Sequence, residues 1–148
     1  MNLRTVIPSI MLLGLFLFGM PSAYAETAVS VLELSMSDTL DLWREGRYEQ
    51  LYEQLSHRGK TSREQFVARM RNSARRPACC WQKMENFRVL NEKRTEATVH
   101  VKIGLEGTPS PVESSTRDFK LSHDSQTWKM RLNDVLDLAG VSGKKSRH

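Results

Sequence analysis

The chain has only two cysteines among its 148 residues, and they are neighbours, Cys79 and Cys80. A framework of disulfides between distant segments is therefore excluded, because within one chain each cysteine can pair only with the other. No cysteine lies immediately after the apolar N-terminal run, which excludes lipid attachment of the bacterial lipoprotein kind. None of the four histidines has a partner at metal-ligand spacing, so the sequence predicts no metal site and no cofactor.

The first 25 residues read as an export signal rather than as part of a fold. Residues 6–20 are almost wholly apolar. Ala23 and Ala25 are small residues at the positions that signal peptidase recognises before a cleavage site. The run is shorter than the roughly 20 residues that a membrane-spanning helix needs. We therefore expect a signal peptide over 1–25 and an exported protein, periplasmic or secreted, without a stable membrane anchor after cleavage. An uncleaved anchor is the alternative.

The remaining chain is long enough for one domain and not for two. We divide it into a lead-in over 26–37, a domain over 38–137 and a basic flexible tail over 138–148. The formal net charge of +5 falls by one when the leader is removed, which leaves a modestly basic chain. Export argues against a nucleic-acid partner, and no recognition motif accompanies the charge.

Two helices are predicted in the first half of the domain. Apolar residues recur with helical spacing from Leu40 to Leu55, which predicts a helix from about Asp38 to Ser56 with Ser37 or Asp38 as its N-cap. A capping box then opens a second helix, which ends at Pro77. The box is formed by Thr61 with Glu64 or by Ser62 with Gln65.

Beyond Pro77 the hydrophobic period changes to two residues, which is typical of strands. We predict about four antiparallel strands, centred near Phe87, Val101, Phe119 and Trp128, and the last of them has Leu132 as its final inward residue. One face of each strand is apolar, so the sheet covers a core on one side and the helices pack on that side. Among ionisable strand residues only Glu85 and Arg117 fall on the apolar face. The fold class is therefore α+β, with two N-terminal helices on one face of a curved antiparallel sheet.

Three segments carry a family resemblance: 43–52 (WREGRYEQLY), 61–66 (TSREQF) and the strand series that closes on Trp128-Lys129-Met130. With these segments the chain resembles the exported branch of the NTF2-like (cystatin-like) α+β cone superfamily. That superfamily includes isomerases, dehydratases, ligand carriers and purely structural domains, so the resemblance implies a fold and not an activity.

The resemblance implies a cone whose lining decides the function. Enzymes of this fold place an acid, a base or a tyrosine inside the cone, whereas the inward strand positions here are nearly all apolar. We therefore predict no catalytic residue. Our candidates for a ligand pocket are Trp43, Tyr48, Tyr52, Phe87, Val99, Val101, Phe119 and Trp128. For both tyrosines, packing on the sheet with the hydroxyl reaching solvent is the alternative.

The adjacent cysteines allow four interpretations. Cys79 and Cys80 could form a vicinal disulfide, remain inert buried thiols beside Trp81, bind a soft metal such as copper(I), or bond to another chain. Nearby arginines would favour a thiolate and hence reactivity. The sequence leaves the four open.

The function expected from these observations is non-catalytic binding of a small apolar ligand or of an envelope protein. The first alternative is a redox or soft-metal-handling module that uses Cys79 and Cys80. The second is an enzyme of the isomerase or dehydratase kind. A homodimer stays open, although the charged outer sheet face argues against a large apolar interface.

Overall fold

The computed structural model describes residues 29–107, 112–124 and 126–143. The predicted signal peptide and the last five residues of the predicted tail lie outside these ranges. In chain order the elements are α1 (Val31–Arg44), α2 (Tyr48–Glu53), α3 (Arg63–Arg71), β1 (Arg75–Pro77), a 3₁₀ turn (Cys80–Lys83), β2 (Met84–Glu92), β3 (Glu96–Gly107), β4 (Glu113–Asp124), β5 (Thr127–Met130) and α4 (Leu132–Leu138).

The first predicted helix is two helices, and its predicted start is wrong. Helix α1 begins seven residues before Asp38, inside the segment assigned to the lead-in, and Ser30 caps it by accepting a hydrogen bond from the Glu33 amide at 3.1 Å. Leu32 and Met36 extend the buried stripe backwards at helical spacing. At the other end Gly46, with φ of +73°, turns the chain between α1 and α2.

Helix α3 begins at the second of the two predicted capping boxes. The Ser62 hydroxyl accepts from the Gln65 amide at 3.2 Å, and the Gln65 side chain accepts from the Ser62 amide at 3.1 Å. The helix ends at Arg71 rather than at Pro77, because Arg75–Pro77 is drawn out as strand β1 beside the end of β3.

The sheet is antiparallel and strongly curled, and β3 lies at its centre. Strand β4 pairs with β3 from Glu96 to Leu105, and β5 pairs with β4. On the other side of β3, two short partners follow one another: β1 lies opposite the 105–107 end and β2 opposite 97–103. The predicted α+β architecture, with N-terminal helices packed against a curled antiparallel sheet, is confirmed.

Strand β2 contains an irregularity that reverses one prediction. The register shifts between Glu85 and Arg88, and Asn86 adopts φ of +57° there, as in a β-bulge. Met84 therefore packs on the core and Glu85 points outward, where its carboxylate lies 2.7 Å from the Lys102 ammonium. The inward position predicted for Glu85 is wrong, because an extra residue in a strand exchanges its two faces.

Helix α4 was not predicted from the sequence. Leu132, interpreted as the last inward residue of a strand, is instead the first residue of α4 and is buried together with Val135, Leu136 and Leu138. A one-residue bridge between Ser56 and Arg131 ends the sheet just before α4. The helix extends to the first residue of the segment assigned to the tail. The spacing of Leu132, Val135 and Leu136 is helical, but Leu132 also fits the period-two pattern of the strand that precedes it.

The core lies between the helices and the inner face of the sheet. It is one continuous cluster, in which α1 contributes Met36, Leu40 and Trp43, and the central strands contribute Val99 and Phe119, among others. No helix among the described residues is long and apolar enough to cross a membrane.

Replacing Ser62 by Ala tests the capping box of α3. Loss of the side-chain acceptor should lower the free energy of unfolding by about 1 kcal/mol, the usual cost of removing an N-cap. Urea denaturation measures this difference. Thr61→Ala, at the neighbouring alternative cap, is the matched control and should cost less than about 0.5 kcal/mol. An equal loss in both variants would contradict the assignment.

Candidate functional site

Most of the predicted ligand-pocket residues belong to the packed core. Trp43, Val99, Val101, Phe119 and Trp128 are all buried in the single core cluster. Phe87 is partly buried and packs against the same cluster. The inner face of the sheet is thus covered by helix side chains.

The two candidate tyrosines have different surroundings. The Tyr52 hydroxyl donates to the Thr61 carbonyl at 2.8 Å, and its ring lies 5.7 Å from that of Phe66, centre to centre. Tyr52 on α2 therefore contacts both the residue before the α3 cap and the α3 helix itself. Tyr48 packs at the edge of the core and also lines a solvent-open cleft with Trp43.

Arg117, the other ionisable residue predicted on the inner face, lies at the rim of the sheet beside α4. Its guanidinium carbon is 4.8 Å from the centre of the Phe119 ring, and it donates to the Asp134 carbonyl at 3.2 Å. On the outer face His100 pairs across the strands with Asp118, with 2.6 Å between Nδ1 and Oδ1. The described residues contain no group of three or more His, Cys, Asp or Glu side chains that could hold a metal ion.

The most distinctive chemistry lies in the segment 79–83, which we term the disulfide turn. The structure joins Cys79 and Cys80 in a disulfide bond, and both residues are exposed. Cys80 has φ of +61°, a left-handed backbone conformation that costs a residue with a side chain about 1 kcal/mol. Trp81 follows directly and is 70 % exposed. Its ring thus projects into solvent beside the disulfide.

Contacts at both ends hold the disulfide turn against the sheet. The buried Ala78 donates to the Gly104 carbonyl at 2.9 Å, and the Lys83 ammonium lies 2.6 Å from the Asp41 carboxylate on α1. Gly104 permits the close approach, because a Cβ at this position would collide with the Gln82 carbonyl oxygen. The turn therefore packs against β3 and is anchored at both ends.

Glu106 on β3 ties the disulfide turn to α1. Its carboxylate accepts from the Cys79 amide at 3.3 Å and from Arg44 Nη1 at 3.1 Å, and it lies 3.4 Å from Arg76 Nε. Arg44 Nη1 also donates to the Pro77 carbonyl at 2.6 Å. The Arg44 hydrogen bond, followed by that of the Cys79 amide and by the charges of both arginines, holds the pKa of Glu106 below its usual value.

A shallow groove borders the disulfide turn on the outer face of the sheet. Its volume is about 270 Å³, and Trp81, Gln82, Lys102 and Gly104 are among the residues that line it. Apolar surface from Trp81 thus lies beside the ion pair of Glu85 and Lys102.

The sequence alone points to the adjacent cysteines but not to the residues around them. Trp81 is evident only as their neighbour in the chain, and nothing in the sequence marks Arg44 or Glu106. No local motif joins Arg44 to Glu106, because they lie 62 residues apart.

Neither a known protein family nor a curated protein matches this chain in sequence.

Glu106 gives the domain a testable dependence on pH. Because its pKa is lowered in the folded state, its contribution to stability is present above the ordinary carboxyl value of 4.5 and is lost as the pH falls through the lowered value. Glu106→Gln should therefore be less stable than wild type at pH 7, and the difference should shrink as the pH falls below 4.5. Urea denaturation between pH 7 and pH 3 provides the measurement.

The control for this experiment is Glu53→Gln. Glu53 forms an exposed pair with Arg58, and such pairs contribute little to stability. The control should stay within about 0.5 kcal/mol of wild type at pH 7. A loss in Glu106→Gln that is constant across the whole pH range would show that the carboxylate charge is not its source.

Proposed function

We propose that this chain is an exported, non-catalytic binding domain that contacts an envelope protein through the disulfide turn. The observation that carries the proposal is Trp81, which is 70 % exposed on a turn anchored at both ends. Exposed aromatic residues on a rigid support are characteristic of the energetic centres of protein interfaces, because they bury a large area at little entropic cost. The disulfide adds rigidity at the same place.

The packing of the inner sheet face favours a protein partner over a small apolar ligand inside the domain. Val99 and Val101, the candidates nearest the middle of the sheet, are fully buried beneath helix side chains. A ligand at this place would have to displace packed core atoms, which costs several kcal/mol. The outer surface beside Trp81 requires no such displacement.

The placement of the ionisable residues supports a non-catalytic role. Glu85 points away from the core toward Lys102, and Arg117 is held at the rim by Phe119 and Asp134. An acid–base mechanism in the interior would need a titratable group there. In the same proposal, residues 1–25 direct export. The curled-sheet fold is that of an NTF2-like domain in which a packed core takes the place of a ligand-binding interior.

Site-specific photocrosslinking in the host cell tests the proposed partner surface. An aromatic photoreactive residue in place of Trp81 keeps a ring at this position and should give a discrete adduct with one protein, because that side chain would lie inside the interface. The same residue in place of Leu90 is the matched control. Leu90 is also an exposed large apolar residue, 53 % accessible, but it lies on β2 away from the turn. We expect no adduct from the control position.

A second arm of the experiment examines the contribution of Trp81 itself. With the photoreactive residue at Gln82, the adduct should disappear when Trp81 is replaced by Ala and should persist when Leu90 is replaced by Ala. The same adducts from positions 81 and 90, or none from either, would contradict the proposal.

The second candidate function is redox exchange at Cys79 and Cys80, and their exposure favours it. A dithiol reductant would attack one sulfur, form a mixed disulfide and leave as its own disulfide, while the two electrons and two protons reduce the pair to two thiols. Reduction would also open the ring that the disulfide closes between Cys79 and Cys80. Cys80, which has a positive φ within that ring, would be released directly before Trp81.

Reduction of the folded protein by dithiothreitol distinguishes this candidate. The pair should become alkylatable within minutes and without urea, because both cysteines are exposed. Acrylamide quenching of tryptophan fluorescence should change at the same rate. It reports mainly on Trp81, since Trp43 and Trp128 are buried. Thiols that appear only after unfolding would exclude a redox role in the native state.

A further inference from the structure

A second cleft lies on the other side of Glu106 from the disulfide turn. We term it the arginine cleft. Its volume is about 380 Å³, within the range of small-molecule sites, and it opens between the end of α1, the start of α2 and strand β1. The residues that bear on binding are Trp43, Arg44, Tyr48, Arg75, Arg76 and Glu106.

Positive charge exceeds negative charge in the arginine cleft. Arg44 and Arg76 share one carboxylate, that of Glu106. The third arginine, Arg75, pairs with Glu113 at 3.0 Å, and Glu113 is not among the described residues that line the cleft. Among the described residues, the side-chain contacts of each arginine use a single nitrogen: Nη1 of Arg44, Nη2 of Arg75 and Nε of Arg76. A guanidinium has five N–H donors, so Arg44 and Arg76 have further donors that these contacts do not use.

Two aromatic residues, Trp43 and Tyr48, border the cleft, and small residues complete its lining. Trp43 is 1 % exposed, and its indole N–H is buried without a hydrogen-bond partner among the described residues. An unpaired buried donor is costly and rare in folded proteins. Beside it lies Tyr48, which is half-buried. Donors, excess positive charge and aromatic surface thus meet in one place.

The cleft between α2 and α3 shows how the arginine cleft differs from an ordinary charged surface. That cleft is larger, about 450 Å³, but its charged residues form matched pairs, Arg71 with Glu49 and Arg63 with Glu64. Its charges balance, and its lining contains no aromatic residue among those described. It therefore lacks both properties that would hold an organic anion.

We infer that the arginine cleft binds a small organic acid, with a carboxylate or phosphate head on Arg44 and Arg76 and an apolar body against Tyr48, next to the buried ring of Trp43. Guanidinium groups bind either head through paired charge-assisted hydrogen bonds. Glu106 illustrates the geometry, since its own carboxylate already lies against the same two arginines. The site is separate from the partner surface at Trp81 and does not depend on that proposal.

NMR titration of the full chain tests the inference through its tryptophan indole signals. The chain has three tryptophans, and Trp43→Phe assigns the relevant signal. The probes are benzoate, phenyl phosphate, inorganic phosphate and uncharged benzyl alcohol. Benzoate or phenyl phosphate should shift the Trp43 signal saturably and leave that of Trp81 in place, and added salt should weaken the effect. Whichever of the two binds more tightly identifies the head group.

Paired arginine variants provide the control. Arg76→Gln should weaken binding about tenfold or more, because it removes a charged donor from the cleft. Arg71→Gln, on the balanced cleft, should change the affinity less than about twofold. Both side chains are well exposed, so both variants should fold, and the indole spectrum without ligand verifies that they do.

Four results would overturn the inference. The first is the absence of a shift with both organic acids, and the second is an equal response to benzyl alcohol, which would remove the role of charge. The third is inorganic phosphate that binds as tightly as phenyl phosphate, which would remove the role of the aromatic surface. The fourth is an equal loss of affinity in Arg71→Gln and Arg76→Gln.

Discussion

Burial of the inner face of β3 and β4 under the helices is the interaction on which the rest of the structure depends. Val99, Val101 and Phe119 alternate with polar residues, so one face of the sheet must be covered. Helix α1 covers it with Met36 and Leu40, which are fully buried. Because helix side chains fill this space, the features with binding chemistry lie at the rim and on the outer surface.

The division of one edge into β1 and β2 creates those features. A continuous partner for β3 would have presented a regular strand, whereas the disulfide turn interrupts the edge where Gly104 leaves room for it. Glu106 follows two residues later and contacts both sides, with the Cys79 amide on one and Arg44 and Arg76 on the other. A single carboxylate thus separates the exposed turn from the arginine cleft.

The parts of the fold that follow from local pattern were predictable. The alternation from Ala97 to Ile103 predicted β3, and the capping residues before Arg63 predicted the start of α3, because side-chain period and cap chemistry act over a few residues. The failures have equally local causes. The bulge at Asn86 exchanged the faces of β2 for Met84 and Glu85, the residues before it. Helix α4 begins at Leu132 immediately after a strand, so its first buried residue also fits the period of that strand.

For the candidate site, the sequence supplied the adjacent cysteines, and the tertiary structure supplied their surroundings. Cys79 can pair within the chain only with Cys80, a conclusion that needs no coordinates. That the pair is exposed, that Trp81 projects beside it and that Glu106 lies against Arg44 depend on contacts between segments tens of residues apart. Hydrophobic periodicity carries no information about such contacts, since it reports which side of an element is buried and not which polar groups meet when the elements pack.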